Sequence, residues 1–314
     1  MQQKQTSNRT FLVSILLTTI FMGSSFPTGK FLISVEHVPP FLLGGYRFVI
    51  AGLIMVLWTL ATGGFQKILP TSSGSIKKGF LLVTVIGLLQ TTGTMGFLNL
   101  AMAAGLSSSM SSIILFTNPL WLALLAHFLL RDRLNNWKIF SLVLGIAGVV
   151  ICLGLDKSVL GIGALYALLG SFCWAINSVV TKRVPFDKGP WIFTGWQLLI
   201  GGIFMFILSI FMHEQYNPTH LSSWGWIWFL WLVIPASVGS FGLWFSSLRQ
   251  RKVTVASSFL FLVPLFSTIF SIIGLHEKFT FGLVIGGLLI VVALVLVNKS
   301  SNRKSPEENG VGNN

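Results

Sequence analysis

The chain has 314 residues, of which 53% are hydrophobic and only 9% charged. A soluble domain carries roughly 25% charged residues, so a water-soluble globular protein is excluded. The net charge of +13 would suit nucleic acid, but its placement along the chain follows membrane topology and argues against that partner.

The apolar residues fall in blocks of about 20, the length that crosses a hydrocarbon core of about 30 Å. Ten blocks are expected to span: 11–33, 40–62, 79–98, 104–130, 135–155, 159–181, 189–211, 224–246, 253–275 and 279–298. The first lacks a small-residue cleavage site and reads as a span, not a cleaved leader. Lys30 lies near its end, and Arg47 lies about 10 Å into the second. With His127 and Lys138 they are the only potentially charged groups inside these limits. Gln90 and Asn118 sit near mid-depth in the third and fourth blocks. Asn177 and Gln197 hold similar places in the sixth and seventh. Polar groups are expensive there, so these residues are candidates for lining a substrate path. Interhelical hydrogen bonding accounts for the amides equally well, snorkelling for Lys30, and bonds to helix carbonyls for Arg47. His127 reads as a structural histidine.

The fourth block, "LFTNPLWLALLAHFLLRDRLNNW", contains Pro119 and ends on Asp132 between Arg131 and Arg133. The ninth, "FLVPLFSTIFSIIGLHEKFTF", contains Pro264 and ends on Glu277 between His276 and Lys278. Both proline-to-acid steps are thirteen residues, and the two motifs lie 145 apart. Ser112 and Ser257 share that offset. Further upstream the offset is about 150, where "PFLLGGYR" faces "PWIFTGWQ" and Arg47 faces Gln197. Earlier still, "GSSFPTGK" faces "AINSVVTK". The chain therefore reads as a cytoplasmic tail (1–10), two copies of one unit (11–157 and 158–298) and a polar tail (299–314) expected to be disordered. Five spans per copy is an odd number, so the second copy enters the membrane from the opposite side. The expected fold is all-α integral membrane: ten transmembrane helices as two inverted five-helix repeats. Seventeen of the 21 Lys and Arg, Lys138 at the start of the fifth block among them, then lie on one side, and only Lys157 and Lys278 on the other. That asymmetry puts both termini in the cytoplasm.

Pro119 and Pro264 are expected as helix bends near the midplane, freeing the carbonyls of Leu115 and Leu260 toward a cavity. Asp132 and Glu277 are expected as structural acids that staple each helix hairpin. The next helices would be capped at Asn135 or Asn136 and at Thr280. Trp224, Trp226, Trp228 and Trp231 read as an interfacial belt, whereas Trp174 and Trp196 lie deeper, where they would wall a pocket. The serines of 107–112 permit close helix approach. Cys152 and Cys173 read as core filler, and no metal or cofactor site follows from the residues present.

Together "MGSSFPTGK", "GGYRF", "NPLWLALLAHFLLRD" and "VPLFSTIFSIIGLHEKFTFGLVIGG" resemble the EamA repeats of the drug/metabolite transporter superfamily, over about residues 11–298. The sequence departs from the family pattern in Asp132, where Glu is usual, and in Met22, where a Trp often precedes Gly23. Trp174 keeps that aromatic in the second copy. The resemblance implies a cavity between the halves, alternating access, and export of small metabolites such as amino acids across a cell membrane. No acid lies at mid-depth, and Lys30 and Arg47 favour anionic or zwitterionic cargo. The expected partners are a small-molecule substrate and the lipid bilayer, with the oligomeric state left open. Two other classes fit less well. A membrane-embedded enzyme would need a catalytic motif such as His-Glu-x-x-His or Gly-x-Ser-x-Gly, and neither is present. A sensor or scaffold would carry a soluble output domain.

Overall fold

The structure, a computed structural model, describes residues 8–130, 136–153, 161–182, 187–250, 256, 259–260, 262–278 and 280–302. Among them there is no named strand, only an isolated bridge between Ser72 and Ser75. The helices are α1 (Asn8–Ser34), α2 (Pro40–Gly63), α3 (Ile76–Ala103), α4 (Ser108–Leu115), α5 (Asn118–Leu130) and α6 (Asn136–Leu153) in the first half. The second half holds α7 (Ile162–Lys182), α8 (Pro190–Phe211), α9 (223–250), α10 (Leu262–Leu275) and α11 (Phe281–Asn302). With α4 and α5 forming one interrupted span, these are ten membrane-spanning segments. Seven qualify on length and apolarity, and three shorter apolar stretches, Ile139–Ile151, Leu262–Leu275 and Phe281–Ala293, complete the set.

Local chemistry sets the helix starts. Proline opens α2 and α8, where its missing N–H is one that a first turn leaves unpaired anyway. Side-chain oxygens of Ser75, Ser107, Ser222 and Thr280 cap α3, α4, α9 and α11. α11 runs on to Asn302, past the limit of 298 set by hydropathy.

Packing follows the repeat. The two most extensive helix interfaces are α2 with α8 and α6 with α11, each joining counterparts from the two halves. α1 packs on α9 and α10, and α7 packs on α3, α4 and α5, which is the same arrangement with the halves exchanged. α1 and α7 run oppositely. Lys30, near the end of α1, reaches Met102 at the end of α3, and Gly163, at the start of α7, packs on the Ala101 carbonyl beside it. The inversion is thus present in the packing itself. At the α2–α8 contact, Gly52 and Gly202 let the backbones meet: a Cβ on either would lie 2.5 Å from Leu199 N or 2.7 Å from Val49 N.

Two spans depart from regular α-helix at equivalent depth. α3 is π-helical over Gly87–Met95, and α9 over Ile234–Gly239. Such wide turns leave carbonyls shifted from their usual donors and recur at functional positions.

Candidate functional site

The fourth span breaks at a two-residue turn. Phe116 and Thr117 lie between α4 and α5, and Pro119 sits in the first turn of α5 next to Asn118, which opens it half-buried. Pro264 likewise sits in the first turn of α10, after a turn in which Val263 N–H donates to Leu260 O at 3.0 Å. Each proline thus stands just after a turn that breaks the helical run, at the equivalent place in the two halves. Thr117 closes the first break: its hydroxyl donates to Ile114 O at 2.6 Å and lies 3.1 Å from Ser171 Oγ of α7. The Phe116 ring, placed by this break, stands edge-on to Trp174 at 5.2 Å and tilted to Phe26 at 6.5 Å. These rings belong to a buried cluster drawn from both halves, with Leu98 and Met102 from one and Leu232 and Val263 from the other. Trp174, half-buried, packs against this cluster where the halves meet.

Arg47 is 9% exposed. Its Nε donates to Ser237 Oγ at 2.9 Å, in the π-helical segment of α9, and its guanidinium lies 4.6 Å from the Phe48 ring centre. Among the described residues neither terminal guanidinium nitrogen has a hydrogen-bond partner, and no carboxylate pairs with it. A buried guanidinium keeps its proton and needs an anion to be stable. The equivalent place in the other half is neutral: Gln197, on α8, accepts from Thr91 of the α3 π-segment through its main-chain oxygen at 3.4 Å.

The other polar candidates are engaged. Asn177 Nδ2 donates to Gln90 Oε1 at 2.8 Å, so these amides tie α7 to α3. Lys30 Nζ donates to Met102 O at 2.7 Å and so ties α1 to the end of α3. Trp196 donates to Ile68 O at 2.6 Å near the opposite end of the bundle, away from Trp174. In the expected belt Trp224, Trp226 and Trp228 are exposed, but Trp231 turns inward and donates to Ser24 Oγ at 2.9 Å. Cys173 is a free, half-buried thiol, and the side chain of Cys152 lies outside the described residues.

The four described carboxylates share one habit, which the sequence reading missed. Glu277 accepts from the N–H groups of Ser108 and Ser109 at 2.7 and 3.2 Å and from both hydroxyls at 2.6 Å. Ser108 Oγ also lies 2.7 Å from Ser271 Oγ. Glu277 therefore grips the start of α4 in the other half, in place of the hairpin staple expected with α11. Glu214 accepts from Phe41 and Leu42 N–H at 3.2 and 2.8 Å at the start of α2. Glu36 accepts from Ser222 N–H at 3.1 Å and from its hydroxyl, at the start of α9. Asp187 accepts from Ser73 and Gly74 N–H at 3.1 and 2.8 Å at the opposite end. Each carboxylate meets backbone N–H groups left free at a turn or helix start, where a negative charge is favoured, and each does so across the halves. One signal was in the sequence: the repeat offset of about 150 links Glu36 with Asp187 and the Ser72–Ser75 turn with Ser222. Asp132 and Asn135 lie outside the described residues.

Comparison with known proteins accords with this geometry. A chloroplastic WAT1-related protein of Arabidopsis thaliana is 29% identical over 297 residues, covering 89% of this chain and 69% of its own. The uncharacterized transporters YoaV and YvbV of Bacillus subtilis are 26% and 28% identical over 300 and 313 residues, with coverage of 93% and 98%, and of 99% and 98%. A solved crystal structure superposes with a TM-score of 0.62 at 20% identity, covering 94% of this chain and 99% of that one, which supports the fold alone. The model of the EamA-like transporter family matches twice, at residues 10–154 and 161–299, one match on each inverted half. A multi-pass, twice-repeated bundle with one match per half belongs to that family, and this chain is a membrane transporter of the EamA-like family.

Proposed function

We propose that this transporter exports small carboxylate-bearing metabolites, anionic or zwitterionic and amino acids among them, across a cell membrane by alternating access. The observation that carries the cargo class is Arg47: a guanidinium 9% exposed, bonded through Nε to Ser237, with no carboxylate partner among the described residues. A planar fork of N–H donors held in apolar surroundings matches a carboxylate in shape and charge. Ser237 orients the guanidinium and leaves its terminal nitrogens for cargo. Trp174 and Phe116 supply an aromatic wall at the contact between the halves. Gln197 and Asn118 are secondary candidates, while Gln90, Asn177 and Lys30 serve the helix ties described above.

Both termini lie in the cytoplasm on this reading, supported by the one-sided distribution of Lys and Arg. The end held by Glu36, Glu214 and Glu277 is then external. A carrier clasped on its outer face loads from the cytoplasm, which suits export.

The test is flux in liposomes for a panel of amino acids, carboxylates and amines, at equal reconstituted protein. Arg47→Gln, the residue already at the equivalent position 197, is expected to insert and fold yet lower carboxylate flux at least tenfold, about 1.4 kcal/mol of recognition. Wild-type flux in that variant, or a wild-type preference for amines, overturns the cargo assignment.

A further inference from the structure

An apolar cleft lies where α10 and α11 of half two meet α4 of half one. It measures about 290 Å³ and runs between α4, α10 and α11, with Ile113, Phe116, Pro264, Leu265, Gly287 and Leu288 on its walls. The bare backbone of Gly287 leaves room for it. In half one Leu142 of α6 is buried at 9% exposure, and its counterpart in α11 is Gly287, which has no side chain to fill that volume. Leu120 of α5 nests over Gly145, where an added Cβ would lie 2.2 Å from its Cδ1. The counterparts are Leu265 and Ile290. Ile290 occupies the notch itself, so Leu265 stays out at 53% exposure. A Cβ added at Gly287 would meet only Ile113 Cδ1, at 3.7 Å.

The cleft is apolar. Thr268 is the one hydroxyl in its lining, and that hydroxyl donates to Pro264 O at 2.9 Å. It opens sideways through Leu265 and Leu288, the latter 61% exposed, within segments that cross the membrane. At 1.5 Å per residue the lining of α11 from Leu283 to Val291 covers about 12 Å of depth, beginning near the helix start. The loop above it, between α10 and α11, carries Lys278, exposed and without a carboxylate partner among the described residues.

We propose that this cleft is a lipid site: one acyl chain of an anionic phospholipid lies along Gly287, and Lys278 meets its phosphate. The apolar lining at membrane depth selects the chain, and the charge at the mouth selects the head group. The cleft shares Phe116 with the aromatic wall proposed for cargo, but Arg47, Ser237 and Trp174 are not among its lining residues.

The test uses the full chain in nanodiscs containing phosphatidylglycerol or phosphatidylcholine with a photoreactive diazirine on one acyl chain. Adducts are mapped by mass spectrometry. In the wild type they are expected to concentrate in 262–291 at least fivefold over the exposed face of α6 around Val143 and Ile146, and phosphatidylglycerol is expected to exceed phosphatidylcholine at least threefold. Gly287→Leu fills the cleft and is expected to lower those adducts at least fivefold. Lys278→Gln is expected to remove the head-group preference while leaving the adducts in place; this variant and the wild-type map decide the matter even if Gly287→Leu fails to fold. Adducts spread evenly over α6 and α11 overturn the proposal. So do adducts missing from 262–291 together with a change of oligomer size in Gly287→Leu, which would assign the cleft to a second copy of the chain.

Discussion

The Glu277 carboxylate accepts four hydrogen bonds from Ser108 and Ser109, two from main-chain N–H groups and two from hydroxyls. Hydrogen bonds to a charged group contribute about 1.5–3 kcal/mol each when formed singly, and bonds sharing one acceptor are not additive. Glu277→Gln keeps one oxygen acceptor, loses the charge and turns an amide toward N–H donors. A loss of about 2 kcal/mol in stability is expected, read as a lowered denaturation midpoint in detergent. Ser108→Ala with Ser109→Ala removes only the hydroxyls and is expected to cost less than Glu277→Gln. Because Glu277 binds structure and not cargo, flux per folded molecule should stay within twofold of the wild type, with or without an imposed pH gradient. Loss of a pH-driven component in a fully folded variant would make Glu277 a coupling residue and sink the structural assignment. Arg47 is the opposite case, a charge with almost no protein partner. The sequence marked Arg47 by its rarity in an apolar block and Glu277 by the repeated proline-to-acid step, but it gave no sign that Glu277 would find its partners 169 and 168 residues away.

At the scale of elements, α4 and α5 are separated by two residues, and Pro119 stands just after them. Proline in a first turn costs little, because no N–H is needed there, whereas within a helix it costs about 3 kcal/mol. Pro119→Ala is therefore expected to change stability by less than about 1 kcal/mol. It also supplies an N–H that permits α4 and α5 to join into one helix, which would move Phe116 off Trp174 and stiffen the contact between the halves. Flux is expected to fall severalfold at an unchanged denaturation midpoint, and unchanged flux would show that the interruption has no part in the cycle. The paired prolines were legible from their spacing. Whether each bends a helix or begins one was not, since both uses leave the same local sequence. The π-helical segments of α3 and α9 were also hidden, because widening a turn leaves the hydropathy of a span unaltered.

On the whole molecule, inversion follows from counting. Five spans in each half turn the second copy over, and the exchange-related packing of α1 on α9 and α10 and of α7 on α3, α4 and α5 expresses it in three dimensions. Which end faces the cytoplasm is a separate matter, decided by charge. The tails, connections and adjoining helix ends on their side carry seventeen Lys and Arg, against two on the opposite side. Basic residues in short connections are retained in the cytoplasm, so the end bearing Glu36, Glu214 and Glu277 is expected outside. Reporter fusions after Asn298 should therefore read cytoplasmic, and fusions within 212–223 should read external. The pair of fusions separates two failures. If both reporters lie on one side, the count of spans between them is wrong. If each reads opposite to expectation, the bundle survives but is turned over: Glu277 then clasps the cytoplasmic face, this conformation loads from outside, and the direction of transport reverses while the Arg47 cargo assignment stands.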